Sequence, residues 1–265
     1  MGVDAKRCER PAGQASGRWA RLLRSASVRL QGQERVAGRP PSSNGASSFH
    51  LIWELPDNLA LAEAAVTLHV PEVPVVPRLY FWALQVSFPS GAGAHLGLQW
   101  GADAPRRMCH VNWGGYGPDG KELSGSSSGL PSSFGNPNTR DYDWEPGRPY
   151  RLRISRDGEG WAGWVGDTLV RHLDVPDRSL VGPMVWSEVF ADCDHPSVTV
   201  HWSDLTVITR SGEQVPIRAA VTRYQSRSDG GCTNTSSTVD GDTFVQTTST
   251  PRRSPAGTRL VLAQR

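Results

Sequence analysis

One carboxylate of the chain lies on an otherwise apolar segment that is rich in aromatic residues. Glu188 lies within Pro183 to Phe190, which reads PMVWSEVF. If this segment is a β-strand, side-chain alternation puts Glu188 on the same face as Met184 and Trp186. Burying a charge there is costly, so the pKa of the carboxyl group would rise, as a general acid requires. The alternative is an ion pair between Glu188 and one of the arginines.

Glycoside hydrolysis requires a second carboxylate on the other side of the scissile bond. Asp141 and Asp143 are the candidates, because they lie in residues 136–144 (NPNTRDYDW), the most concentrated polar and aromatic stretch of the chain. In the same stretch Arg140 offers a planar set of donors and Trp144 offers a ring for stacking. The stretch is equally consistent with a loop held by Asx-turns and an Arg–Asp pair.

Amide side chains recur on segments that have strand character. Gln85 lies in WALQVSF, Gln99 in HLGLQW and Asn112 in HVNW. Amides beside aromatic rings are typical of a cleft for a hydroxyl-rich ligand, although each one alone is more often a satisfied core group. Their recurrence on three segments predicts a ligand-binding face. The other residues predicted for this face are Trp113, Tyr116, Asn138, Arg140, Trp144 and Trp186.

The segments that must position these residues are predicted to be short β-strands separated by turns. The strongest runs from Arg78 to Phe88 (RLYFWALQVSF), which has no Gly or Pro and is dense in aromatic and β-branched residues. Roughly ten to thirteen such segments, with no convincing helix between them, indicate a single all-β domain of the sandwich or jelly-roll type. We expect it to span residues 49–265, with a long functional or disordered loop at about 114–149.

Residues 1–48 differ from the rest of the chain in composition. They are rich in Arg, Gly, Ser and Pro, which predicts a disordered basic tail, with a short helix from Trp19 to Leu30 as the one conceivable element. No apolar stretch of the signal-peptide type is present, so the chain as written is expected in the cytoplasm. With a different start of translation it would be extracellular.

Charge and motifs exclude several classes of protein. The 265 residues include 28 Lys and Arg against 26 Asp and Glu, a balance that does not favour nucleic acid as a partner. No run of 18 apolar residues exists, so insertion into a membrane is not expected. The sequence lacks the phosphate-binding loop, the dinucleotide fingerprint, the nucleophile elbow and the zinc-protease motif.

The cysteines and acidic loops do not predict a metal cofactor. The four cysteines, which include Cys193 and Cys232, show no zinc-ligand spacing. A disulfide between Cys193 and Cys232 is one option, but free thiols fit a reducing compartment better. Asp192 and Asp194 offer oxygen ligands of the kind that calcium takes, although two acids in a loop are not a site.

Three successive segments carry a family resemblance. The segments 80–88 (YFWALQVSF), 95–100 (HLGLQW) and 111–116 (VNWGGY) resemble an uncharacterised bacterial family of concanavalin A-like lectin/glucanase-type β-sandwich proteins. The resemblance covers Phe49 to about Thr209, and it implies a jelly-roll fold and a carbohydrate-related function. It supplies no catalytic residues, and the E-x-D-x-E arrangement of the sandwich glucanases is missing from this chain.

Three functions of different classes follow from these observations. The first, which we expect, is a lectin-like module that binds a glycan or another hydroxyl-rich small ligand, with Trp113, Trp144 and Trp186 as stacking faces. The second is a carbohydrate-active hydrolase or lyase that uses Glu188 and one of the two opposing aspartates. The third is a non-catalytic protein-interaction domain whose polar residues are structural.

Overall fold

The computed structural model describes residues 34–57, 59–101, 109–133 and 135–263. These residues form seventeen β-strands and no helix, so the all-β sandwich predicted from the sequence is confirmed. In the same part of the chain no helix is long and apolar enough to cross a membrane. In chain order the strands are β1 (Ser47–Trp53), β2 (Leu61–His69), β3 (Tyr80–Ser87), β4 (Gly93–Trp100), β5 (Cys109–Tyr116), β6 (Ser132–Ser133), β7 (Asn136–Asp141), β8 (Pro149–Arg156), β9 (Trp161–Val165), β10 (Thr168–Leu173), β11 (Val181–Val189), β12 (Thr199–Thr209), β13 (Gln214–Pro216), β14 (Ala219–Tyr224), β15 (Ser236–Asp240), β16 (Thr243–Thr247) and β17 (Arg259–Val261).

The strands form two antiparallel sheets. Sheet A has nine strands in the order β17-β14-β1-β11-β3-β4-β5-β7-β6, and sheet B has the order β10-β9-β8-β2-β12-β16-β15, with β13 paired to β12. Strand β1 lies between β11 and β14, which follow it by more than a hundred residues, so the first strand is held by the last third of the chain. Such long-range pairing is typical of jelly rolls rather than of simple meanders.

The core lies between the two sheets and is built by side-chain alternation. Along β1 buried and half-buried residues alternate strictly, as expected for a strand with one face on a core. Trp82, Trp161 and Trp202 are among its largest fully buried side chains. Removing a buried ring of this size typically costs about 3–5 kcal/mol, so the tryptophans of the chain serve largely to stabilise the sandwich.

Two of the predicted stacking faces belong to this core. Trp113 is 0% exposed and Trp144 is 2% exposed, so neither offers a ring to a ligand. The Nε1 of Trp144 donates to the carbonyl oxygen of Gln99 over 3.0 Å. Trp113 follows Asn112 directly on β5, and neighbouring residues of a strand point to opposite faces. This placement corrects the expectation for both tryptophans.

The polar excursion at 114–149 is not one long loop. Strand β5 continues to Tyr116, and residues 136–141 form β7, which pairs with β5. Backbone groups of polar residues make the same ladder as those of apolar residues, so side-chain polarity alone did not reveal this strand.

Part of the predicted tail is packed on the sandwich. Residues 35–46, here called the N-terminal segment, lead into β1, which begins at Ser47. The backbone N–H of Arg35 donates to Thr233 Oγ1, and that of Thr233 donates to the carbonyl of Arg35, each over 2.9 Å. The sandwich unit therefore begins at Arg35 rather than near residue 49. Residues 1–33, with the helix expected from Trp19 to Leu30, lie outside the described residues.

A disulfide joins Cys193 and Cys232, which are 39 residues apart. The expectation of free thiols at these positions was therefore wrong. The one free cysteine among the described residues is Cys109. Burial, together with the nearby Asp143, raises the pKa of Cys109 to about 11, so this thiol is a poor nucleophile at neutral pH.

Candidate functional site

The face of sheet A that points away from sheet B carries the polar side chains of interest, and we call it the outer face. Residues paired across neighbouring antiparallel strands lie side by side, so the registers sort the side chains into rows. The first row consists of Ser48, Glu188, Phe81, Gln99, His110 and Asp141. The second row consists of His50, Trp186, Ala83, Gly97, Asn112 and Thr139. The third row consists of Ile52, Met184, Gln85, His95 and Gly114.

Six sequence-predicted residues share this face. They come from five different strands, and the alternation along each strand gives them a common side. They are Gln85, Gln99, Asn112, Asp141, Trp186 and Glu188.

The middle of the outer face has an apolar floor separate from the main core. Phe81, Ala83 and Trp186 are buried there, with Met184 packed against them. The Phe81 and Trp186 rings meet edge to face, with centroids 4.9 Å apart. A Cβ on Gly97 would lie 2.7 Å from the Phe81 ring, so this ring leans over Gly97 in the second row. Space between Glu188 and Gln99 in the first row is therefore not filled by the ring.

Glu188 is half-buried beside this floor. Its Oε1 accepts a hydrogen bond from Asn44 Nδ2 over 3.0 Å. Burial raises the pKa of Glu188, and the Asn44 donor offsets part of this rise because it stabilises the ionised form. Within the described residues no ion pair involves Glu188, so the arginine partner considered from the sequence is not found there.

Two histidines of the outer face are neutral near neutral pH. Burial lowers the pKa of His50 to about 4, and the positive charge of Arg223 acts in the same direction. Burial also lowers the pKa of His95 to about 4, against a hydrogen bond with Asn112 that raises it. The site therefore presents imidazoles as neutral polar groups rather than as cations.

A groove of about 530 Å³ opens on the outer face next to Ser48, the register partner of Glu188, and Glu188 itself is not among its lining residues. Its floor is formed by His50, Met184 and Gln85, which belong to β1, β11 and β3. The remaining lining residues are Ser48, Arg223, Tyr224, Gln225, Ser226 and Asp229. The groove crosses several strands and offers amides, a neutral imidazole and one guanidinium group, which suits an extended polar ligand.

The other end of the outer face brings Ser133, His110 and Asp141 together. Ser133 Oγ lies 3.1 Å from His110 Nδ1, and Asp141 Oδ1 lies 3.5 Å from the same nitrogen. A nucleophilic triad needs the acid and the serine on opposite ring nitrogens, so this cluster does not have that geometry. The sequence analysis did not predict Ser133 and His110 as site residues. They lie on β6 and β5, which are brought close because β7 pairs with both strands, and a pairing of this kind has no pattern in the local sequence.

The carboxylate pair proposed from the sequence does not meet. Four strand spacings separate β11 from β7, which puts the backbones of Glu188 and Asp141 about 19 Å apart. Glycosidase pairs lie within roughly 5–9.5 Å. Asp143 is exposed beyond the end of β7 and contributes to the pKa of Cys109 instead. The pairing of Glu188 with Asp141 or Asp143 predicted from the sequence is therefore wrong. Glu188 remains a candidate acid or base, but neither aspartate can act with it.

Three predicted residues of the 114–149 region lie away from Glu188. Asn138 Nδ2 donates to Glu122 Oε2 over 3.3 Å, and Arg140 Nη2 donates to the carbonyl of Pro137 over 2.8 Å. Tyr116 is 51% exposed at the end of β5. None of the three lines the groove.

The acids considered for calcium have another use. Asp194 Oδ1 accepts a hydrogen bond from the backbone N–H of Gly38 over 2.9 Å, which helps to hold the N-terminal segment. In the described part of the chain no group of three or more His, Cys, Asp or Glu residues is arranged to hold a metal ion.

Comparison with known proteins gives distant structural likenesses alone. No family model matches the chain, and no curated protein matches it. Among solved structures, the chain is similar to a scytalido-glutamic peptidase with a peptide-based transition-state analogue (11% identity, TM-score 0.41) and to SCP-B, a member of the eqolisin family of peptidases, in complex with the tripeptide Ala-Ile-His (11% identity, TM-score 0.40). Each alignment covers 76% of this chain and 96% of the other. Likeness at this level carries no inference about activity, and the resemblance to a bacterial lectin/glucanase-type family stays a prediction.

Proposed function

We propose that this chain is a hydrolase whose active site is the outer face of sheet A, with Glu188 as general acid and base. The observation that carries the proposal is the state of its carboxyl group. Glu188 is half-buried, its carboxyl group accepts a hydrogen bond from a neutral amide and has a raised pKa, and its register partner Ser48 lines a groove that can hold a ligand. A carboxyl group with a raised pKa is a stronger base when it is ionised, and once protonated it can give the proton to a leaving group closer to neutral pH.

The structure supports a lectin-like site, in which sugars stack on aromatic rings, less well than it supports acid–base catalysis. A lectin-like site needs an aromatic face that a sugar can reach. The three tryptophans considered for that role are 0%, 2% and 6% exposed. The polar groups of the outer face therefore support a site that works through hydrogen bonds and proton transfer.

Gln99 is the amide that shares the first row with Glu188, and it is 8% exposed. It lies in the same row, two strand spacings or about 10 Å from Glu188 along the sheet, and the Phe81 ring leans away from the space between them. An ionised Glu188 would take a proton from water as the oxygen of that water attacks a carbonyl carbon. The amide of Gln99 would donate to the oxyanion that forms, and Glu188 would then protonate the leaving nitrogen.

The substrate class that fits is an extended chain of amide bonds bound across the strands. The groove supplies neutral donors and acceptors from Gln85 and Gln225, which suit peptide groups. Glycoside hydrolysis is the second candidate, favoured by Asp229, an acidic residue that lines the same groove. The two candidates differ in their need for a second acid, which canonical glycoside hydrolysis requires.

One experiment tests both candidates. Purified protein is incubated with peptide and glycan libraries from pH 3 to pH 7, and products are identified by mass spectrometry. We expect Glu188→Gln to reduce turnover by about 10²–10⁴-fold, the usual contribution of a general acid or base. Asp229→Asn separates the candidates, because it should abolish glycan cleavage and leave peptide cleavage largely intact. Cleavage by Glu188→Gln at the wild-type rate would refute the proposal.

The disulfide supports a setting outside the reducing cytoplasm. Disulfides persist in oxidising compartments and are rare in the cytosol. The bond between Cys193 and Cys232 therefore favours the extracellular option over the cytoplasmic one. A polymeric peptide or glycan is a substrate that such a compartment supplies.

A further inference from the structure

The N-terminal segment reaches Glu188 through one oriented side chain. Asn44 Nδ2 donates to Glu188 Oε1 over 3.0 Å. The opposite end of the amide is held by the backbone, since Asn44 Oδ1 accepts from the N–H of Ala46 over 3.1 Å. The single proton of the Ser42 hydroxyl goes to the carbonyl of Ala46 over 2.5 Å, so the Ala46 N–H is the donor that orients the amide and turns its NH₂ group towards the carboxyl group.

The corner around the disulfide holds this segment in place. The backbone N–H of Cys193 donates to the carbonyl of Gly38 over 2.8 Å. Asn234 Nδ2 donates both to the carbonyl of Val36 over 3.2 Å and to that of Cys193 over 2.8 Å. Because the disulfide ties Cys193 to Cys232, the two stretches that bind the segment are covalently joined.

We propose that Asn44 is a positioning residue for Glu188, and that the disulfide corner keeps Asn44 in place. A fixed amide donor holds one carboxylate oxygen and leaves the other for water or substrate. It also favours the ionised form of the carboxyl group, which a general base requires. The catalytic meaning of this contact rests on the proposed function, whereas the contact and its effect on ionisation do not.

Several charged and titratable groups lie on the elements around Glu188, and the effect of Asn44 on the pKa of Glu188 can be separated from theirs. They are Arg35 and Arg39 on the segment, His50 on β1, His95 on β4, Arg223 on β14, and Arg227 and Asp229 beyond it. Both histidines are neutral above about pH 5, since burial lowers each pKa to about 4. The causes of the shift at Glu188 are burial and the Asn44 donor. A change at Asn44 should therefore be visible in the titration of Glu188.

The test compares two substitutions of Asn44. They separate its two functions, which are to accept a hydrogen bond within its own turn and to donate one to Glu188. Asn44→Asp keeps an oxygen that accepts from the backbone N–H of Ala46, but it replaces the NH₂ donor by a carboxylate oxygen beside Glu188. Asn44→Ala removes both functions, and Ser43→Ala is the matched control on the exposed neighbour. The carboxyl carbon of Glu188 is followed by NMR through a pH titration of ¹³C-glutamate-labelled protein, with Glu188→Gln to assign the signal. Thermal unfolding is measured for every variant.

We expect Asn44→Asp to raise the pKa of Glu188 by about 0.5 pH unit, because a donor is lost and a like charge is added at a solvent-exposed contact. Ser43→Ala should titrate as wild type. If Asn44→Asp unfolds at the wild-type temperature and leaves the titration of Glu188 unchanged, the positioning role is overturned. Because this readout needs no turnover, it stands or falls separately from the proposed hydrolase.

The role of the disulfide corner has its own variants. Asn44→Ala should raise the pKa of Glu188, because the hydrogen-bond donor is lost. The double variant Cys193→Ser, Cys232→Ser should also raise it, because Asn44 is then no longer held in place. Gly230→Ala keeps both cysteines but disturbs the contact with the segment, because a Cβ there would lie 2.3 Å from the backbone nitrogen of Ser42 and the turn at Gly230 has a φ of +90°. It should give the same change. A folded Gly230→Ala or double-serine variant in which Glu188 titrates as in wild type would overturn this part of the proposal.

Discussion

Gly97 shows how a residue without a side chain shapes the outer face. It lies in the second row, between Ala83 on β3 and Asn112 on β5. A Cβ there would approach the carbonyl oxygen of Trp82 to 2.1 Å and the ring of Phe81 to 2.7 Å. The absence of a side chain thus lets the Phe81 ring occupy this position in the second row.

The substitution Gly97→Ala should be destabilising. Forcing a methyl group against backbone typically costs about 1–3 kcal/mol, because β3 or the ring of Phe81 must move. Urea unfolding followed by tryptophan fluorescence measures the change. Gly158→Ala is the matched control, since nothing lies within 4 Å of a Cβ at that turn glycine. If the two variants had equal midpoints of urea unfolding, the prediction would be wrong, because β3 or the Phe81 ring would then make room for the methyl group without loss of stability.

Residue types on the outer face could be predicted better than residue roles. Alternation along PMVWSEVF placed Glu188 and Trp186 on one face, and the registers agree with that placement. The same rule applied to β5 separates Asn112 from Trp113, so these two could not both face one ligand. Burial of an individual ring depends on which face the second sheet covers, and a single strand does not contain that information.

At the scale of elements, strand positions were predictable and strand order was not. The segments predicted for β3, β4 and β5 follow one another in the sequence and also lie side by side in sheet A. Strand β11 joins β3 across almost a hundred residues, and β7 joins the far side of β5. Hydrophobic periodicity carries no signal for such pairings, so the distance between Glu188 and Asp141 could not be foreseen.

The disulfide is an element-scale constraint on stability. It closes a loop of 39 residues, for which the loss of chain entropy in the unfolded state predicts a stabilisation of about 4 kcal/mol. We expect the oxidised protein to unfold at a higher urea concentration than the Cys193→Ser, Cys232→Ser variant. A Cys109→Ser variant controls for loss of a thiol. Coincident unfolding curves for oxidised protein and double variant would contradict the entropic argument.

For the whole molecule, the half-buried histidines His50 and His95 predict how stability depends on pH. His50 and His95 have a pKa of about 4 in the folded protein, below the ordinary value of 6.5. Between these values the unfolded chain binds more protons than the folded one, so stability is complete above pH 6.5 and is lost as the pH falls towards 4. Each histidine should account for about 3 kcal/mol of that loss.

The measurement is urea unfolding at pH 7, 5.5 and 4, for wild type and for the variant His50→Gln with His95→Asn. The variant should lose less stability on acidification than the wild type. Glu188 acts in the opposite direction, because a raised carboxyl pKa means that the folded state holds its proton more tightly. A variant with the same pH slope as the wild type would mean that these two histidines are not the groups that take up the protons.

The docking of the N-terminal segment has a consequence for the order of folding. Its partners around residue 233 follow it by 198 positions, and β1 is flanked by β11 and β14. During synthesis the segment that carries Asn44 leaves the ribosome early, yet the surface that receives it is made near the end. Contacts of such long range form slowly and late. A nascent chain therefore completes the surroundings of Glu188 only after nearly all of its strands exist, which keeps the proposed chemistry silent until synthesis is almost finished.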